Sequence, residues 1–103
     1  MTASVHFTAI ATSHIRTIDS WWHRNRVVAP ILFSAELDEA LDLLSRNPRA
    51  GVAYRARRFV GVRRYLLRSS RYHIYYREEG ASIVVLAVWS SVRGRGPDLR
   101  TQG

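Results

Sequence analysis

The sequence predicts an α+β fold: an opening strand, an α-helical hairpin, then an antiparallel meander of three to four strands with the helices on one face of the sheet. Three observations carry that expectation. Apolar residues recur at helical spacing in two stretches before Asn47-Pro48. After Gly51 the chain turns aromatic and β-branched, cut by short turn segments. And 103 residues, 47% of them hydrophobic, leave room for one core and one domain.

Val5, Phe7 and their neighbours read as the opening strand. Thr8 follows as a helix cap, its hydroxyl able to accept from the free N–H groups of a first turn. Ala11, Ile15, Ile18 and Trp22 then fall at i, i+4, i+7 and i+11, which places them on one helical face. Pro30 suits the first turn of a second helix, because its missing N–H is not needed there. Phe33, Leu37, Ala40 and Leu44 repeat the spacing until Asn47-Pro48 stops it. A short link between two helices makes a packed hairpin.

Three or four strands are expected in the second half, from the stretches Tyr54 to Phe59, Val62 to Arg68, Tyr72 to Arg77 and Ile83 to Trp89. Gly61, Ser69-Ser70 and Glu78-Glu79-Gly80-Ala81 separate them. Ile83 to Trp89 lacks polar alternation, so it belongs in the middle of the sheet, covered on both faces. The domain is read as residues 1–89. Residues 90–103, polar and with three Gly and one Pro, read as a flexible tail.

Charge narrows the class of partner. The net charge is +8, and every one of the 16 cationic residues is Arg. Coding bias accounts for Arg over Lys, but not for where the charge sits. Four of the eight acids lie between Glu36 and Asp42, whereas Leu43 to Arg77 holds ten Arg and no acid. Such segregation fits an acidic partner, nucleic acid or protein. Absence of cysteine excludes disulfides and thiolate metal sites. The first residues do not read as a signal peptide, and no apolar run approaches the ~20 residues that span a bilayer. A cytoplasmic protein without a membrane role is expected.

No glycine-rich phosphate loop is present, and the four histidines lack metal-ligand spacing, so neither metal nor cofactor is expected. Trp21 lies off the apolar stripe that holds Trp22, which makes it an edge residue or a partner contact. The richest stretch runs from Val62 to Arg77. Alternation on a strand groups Arg64 with Leu66 and Arg68, and His73 with Tyr75 and Arg77. A turn at Ser69-Ser70 would bring Arg64 or Arg68 near His73 or Tyr76. Arg and His beside an aromatic ring can hold an RNA phosphate and base and move a proton. The same residues also make a basic dock for an acidic helix.

These features in order resemble the RelE/ParE toxin superfamily along almost the whole chain: Val-His-Phe-Thr at the start, Trp21-Trp22, Ala29-Pro30, Asn47-Pro48 with Gly51, the Val62-to-Arg77 hairpin, and Val85 to Trp89 followed by Arg93-Gly94-Arg95-Gly96-Pro97. The resemblance implies a growth-inhibiting toxin of a type II toxin–antitoxin system, of the kind linked to plasmid stabilisation, held inactive by a cognate antitoxin. It implies one of two actions. A RelE-like toxin cuts messenger RNA at the ribosome without metal, using basic residues on the sheet; a ParE-like toxin inhibits DNA gyrase without catalysing a reaction. The ribonuclease pattern is partly met. Arg64 matches a basic strand position, Leu66 occupies the next, His73 replaces an arginine, and Ser90-Ser91 stand where a basic residue or histidine is expected. These departures favour the ParE-like branch. Arg63, Arg64, Arg68, His73, Arg77 and Trp21 are then the expected partner-binding residues. Under the ribonuclease alternative the catalytic candidates are Arg64, Arg68, His73, Tyr76 and Arg93. A non-toxic nucleic-acid-binding module is the further alternative.

Overall fold

The Thr8 side chain accepts from the Ala11 N–H at 3.1 Å and so opens the first helix where the sequence places it. The computed structural model describes residues 2–99. Strand β1 (Ser4–Phe7) leads through Thr8 into helix α1 (Ala9–Asn25), and helix α2 covers Leu32–Arg46. Pro30 lies two residues ahead of α2, in the connecting turn rather than in the helix. Its fixed φ serves a turn as well as a first helical position. The two helical stripes form one core. Ala11, Trp22, Phe33, Leu37, Ala40 and Leu44 are buried, with Ile15, Ile18 and Leu41 packed beside them.

The remaining strands are β2 (Val52–Ala53), β3 (Arg63–Leu67), β4 (Tyr72–Glu79) and β5 (Ser82–Ser90). They make a five-stranded sheet in the order β1-β5-β4-β3-β2. The meander is antiparallel, but β1 pairs with β5 in parallel, so the sheet is mixed. Strand β5 thereby lies between β1 and β4, inside the sheet as its unbroken apolar run requires. Leu67, Ile74, Tyr76, Ile83, Val85 and Val88 complete the helix-side core.

One irregularity sets the faces of β5. Tyr75 pairs with Ala87 and Tyr76 with Val85, so Leu86 is an extra residue, a β-bulge. Before the bulge Ile83 and Val85 face the helices. After it Val88 does, while Leu86 and Ala87 both join the core on the opposite face. The Thr8 hydroxyl donates to the Leu86 carbonyl at 3.2 Å, and the Thr8 N–H to that of Val85 at 3.1 Å.

The expected strand from Tyr54 to Phe59 does not form. Beyond the two residues of β2 the chain leaves the edge and folds over the face away from the helices. There Tyr54, Ala56, Phe59 and Val62 pack with Tyr75, Leu86, Ala87 and Leu99, while Arg55, Arg57 and Arg58 stay exposed. The reason is burial: an edge strand would leave the apolar face of β4 and β5 wet, at about 25 cal/mol for each Å² not removed from water. The sheet face away from the helices is therefore only partly open. Residues 90–99 of the expected tail are described. Ser90 closes β5, the Trp89 indole N–H donates to the Arg95 carbonyl at 3.0 Å, and Leu99 is buried. Residues 100–103 lie outside the described residues.

Candidate functional site

What the two covering segments leave open is the hairpin end of the sheet. Leu66 pairs with His73, and His73 with Trp89, so the three form a row across β3, β4 and β5 on one face. Leu66 is 41% exposed, and His73 and Trp89 are half-buried. The next row is Arg64, Tyr75 and Ala87. The Arg64 guanidinium lies 5.3 Å from the centre of the Tyr54 ring, which meets Tyr75 edge-on at 4.9 Å. Tyr75 in turn meets His73 at 5.9 Å. Burial first, and then the charge of Arg64, hold His73 below the usual imidazole value. It is neutral at pH 7 and able to accept a proton. Burial raises the Tyr75 phenol, against the opposing pull of Arg64.

The other sequence candidates separate. Arg68 is exposed in the hairpin turn beyond Leu67. Arg93 lies over the Trp89 ring at 4.7 Å and so joins the end of the row. Arg77 stacks on Phe59 at 5.0 Å and pairs with Glu79 at 3.0 Å, holding the covering segment in place. Arg63 falls one register away from Arg64, and its guanidinium donates to the Gly51 carbonyl at 2.8 Å. Tyr76 is fully buried on the helix side. Its hydroxyl donates to the Pro48 carbonyl at 2.7 Å and accepts from the Gly51 N–H at 2.9 Å. The turn at Ser69-Ser70 thus brings Arg64, not Tyr76, to His73, because strand alternation sends residues 75 and 76 to opposite faces. A Cβ on Gly51 would lie 2.6 Å from that hydroxyl, so close approach, not only turning, requires glycine there.

On the helix side of the row, α1 and the end of β5 enclose a groove of about 350 Å³ that Trp21 borders. His14 meets Trp89 here at 5.5 Å, and its Nδ1 accepts from the Val88 N–H at 3.3 Å. Among the described residues no group of three His, Cys, Asp or Glu is placed to hold a metal ion. No helix among them is long and apolar enough to cross a membrane.

The model of the family described as the ParE toxin of type II toxin–antitoxin systems, parDE, matches residues 5–94. The chain belongs to the ParE toxin family. A search of curated protein sequences finds no match. Among solved structures, a double arginine-to-alanine mutant of the Escherichia coli toxin RelE in the free state superposes with a TM-score of 0.57, at 19% identity over 89% of this chain and 86% of that one. At that identity the likeness is one of fold.

Within this ParE-family toxin the late-strand position has a structural occupant. The Ser91 N–H and hydroxyl both donate to the Arg71 carbonyl at 2.9 Å, tying the end of β5 to the hairpin turn. Arg71 itself has φ 68°, a left-handed value that closes the turn. Glu36 of α2 clasps the same turn, accepting from the Ser69 and Ser70 N–H groups at 2.8 Å and from the Ser70 hydroxyl at 2.6 Å. Sequence reasoning missed the toxin's Trp89, Tyr54 and His14. Trp89 was hidden in a strand without alternation, Tyr54 in an expected strand, and His14 in a helix where nothing but the fold brings it to β5.

Proposed function

We propose that this toxin, neutralised by a cognate antitoxin, acts in the cytoplasm by binding DNA gyrase and blocking its reaction, without cutting RNA. The observation that carries this reading is the covering of the sheet face by residues 54–62 and by the segment after Trp89. A ribonuclease of this fold works with basic residues on the sheet and needs RNA against them. Here Tyr54, Phe59 and Leu99 cover the sheet over Tyr75, Leu86 and Ala87, which leaves RNA only the hairpin end around His73. Of the other catalytic candidates, Tyr76 is held in the core by the Pro48 carbonyl, Arg93 stacks on the Trp89 ring, and Ser91, where a basic residue or histidine is expected, is tied to the Arg71 carbonyl. A half-buried row with arginines at its margins suits a binding surface. Arg64, Leu66, Arg68, His73, Trp89 and Arg93 are its proposed contacts.

The ribonuclease reading keeps one favourable observation, the neutral His73 beside Arg64. Purified toxin in a gyrase supercoiling assay on relaxed plasmid, with a ribosome-dependent messenger RNA cleavage assay alongside, decides between them. Blocked supercoiling with intact RNA is expected. Normal supercoiling with cut RNA would transfer the site to the ribonuclease reading.

A further inference from the structure

The groove between α1 and the end of β5 shares Trp89 and Arg93 with the proposed target surface and adds a wall of its own from α1. Its walls are apolar and aromatic: Ile18 and Trp21 from the helix, Tyr72, Val88 and Trp89 from the sheet. Trp21 is 40% exposed although it is a tryptophan, and it meets Trp22 edge-on at 5.9 Å while Arg26 lies 5.7 Å from its ring centre. The polar groups that line the groove are donors. Arg93 supplies a guanidinium, and Thr17 and Ser90 supply hydroxyls. The Tyr72 hydroxyl accepts from the Trp22 indole at 3.3 Å, which leaves its own proton to give. His14 receives the Val88 N–H on Nδ1, so its proton sits on Nε2. Among the described residues no carboxylate lines the groove.

We infer that this groove seats an anchor of the antitoxin: one bulky apolar side chain between Trp21, Tyr72 and Trp89, with a neighbouring carboxylate on Arg93. The inference rests on the toxin–antitoxin reading and adds to it where the partner holds on. Charge complementarity decides the occupant. A +8 chain meets an acidic partner, and an acid-free, donor-lined groove takes the carboxylate end of it. Nucleic acid fits less well, because a strand needs a run of cations along its phosphates and the groove has one among the described residues. An aromatic-walled pocket with a single arginine is instead the composition of a protein–protein hot spot. Trp89 and Arg93 also end the Leu66–His73–Trp89 row. An antitoxin anchored here closes that end of the target surface, so neutralisation follows from occupancy.

The test titrates toxin labelled with ¹⁵N in its three indoles with the full-length cognate antitoxin. The Trp21 and Trp89 indole signals should shift and exchange more slowly with solvent. Trp21→Ala and Arg93→Glu should each weaken the complex roughly tenfold or more, as truncation at a hot spot does. Arg58→Glu, which makes the same charge change away from the groove, should weaken it by no more than about threefold. Both groove positions carry exposed side chains, and unchanged thermal melts of the free variants confirm that the fold survives. Tight binding with the two indoles unmoved and both variants at wild-type affinity overturns the inference while the toxin–antitoxin reading stands. Failure of the wild-type toxin to bind the antitoxin at all defeats that reading instead. Adenosine monophosphate moving the two indoles where the antitoxin does not would assign the groove to nucleic acid and likewise overturn the inference.

Discussion

The Thr8 hydroxyl donates to the Leu86 carbonyl across 3.2 Å, joining the cap of the first helix to the bulge of the last strand. The same oxygen accepts from the Ala11 N–H, so one side chain starts α1 and holds the extra residue that turns Trp89 to the open face. Thr8→Val keeps the volume and loses both bonds. It should lower stability by about 1–2 kcal/mol, measured as a fall in the urea midpoint at unchanged slope. Because the bulge loosens, the Trp89 indole resonance should broaden or move in the folded variant.

Tyr76 separates a structural from a catalytic role. Tyr76→Phe leaves the Pro48 carbonyl and the Gly51 N–H without their partner, so stability should fall by about 1–3 kcal/mol. Toxicity per folded molecule should remain. Selective loss of RNA cleavage in a variant that melts like the wild type would make the phenol catalytic.

Glu36 predicts an acid-sensitive hairpin. Burial pushes its carboxyl up, but hydrogen bonds from Ser70 and Ser69 outweigh that and leave it below its ordinary value of 4.5. A depressed carboxylate stabilises fully above the ordinary value and loses that contribution as pH falls through the lowered one. Glu36→Gln should therefore cost about 1–2 kcal/mol at pH 7 and nothing further in acid. Melting curves between pH 7 and pH 3 check this, with the variant's profile flatter than the wild type's.

His14 acts at milder acidity. Burial, then the charge of Arg93, keep it below the ordinary 6.5, and its Nδ1 must stay unprotonated to receive the Val88 N–H. Its contribution is complete above 6.5 and is lost as pH falls through the lowered value. His14→Leu should be less stable at pH 7, by about 1 kcal/mol, but should lose less on acidification to about pH 5 than the wild type.

The target row makes the last prediction. On the proposed gyrase reading, His73→Ala should weaken gyrase inhibition by about tenfold at most, because it removes one proposed contact of several. Arg64→Glu, which reverses charge beside it, should weaken it more. Were the protein a ribonuclease, His73→Ala would instead abolish cleavage, a loss of roughly 100-fold or more for a general acid or base.

The helices, the hairpin turn and the antiparallel meander were legible in the sequence because each follows from local spacing: Ala11 to Trp22 and Phe33 to Leu44 on period 3.6, Ser69-Ser70 between two apolar strands. The acid-free run from Leu43 to Arg77 was legible as well, and alternation grouped Arg64 with Leu66 and His73 with Tyr75, while the register of β3 against β4 decided that the two pairs share a face. The parallel pairing of β1 with β5, the folding of Tyr54 to Phe59 over the sheet and the bulge at Leu86 were not legible. Each is decided by which apolar surface would otherwise stay wet, a property of the assembled sheet rather than of any window of residues. So the sequence by itself determined what kinds of element form and where the charge lies. Only the tertiary structure decided that Tyr76 is core, that Trp89 stands beside His73, and that His14 reaches β5, because a one-residue shift in register exchanges the two faces of a strand.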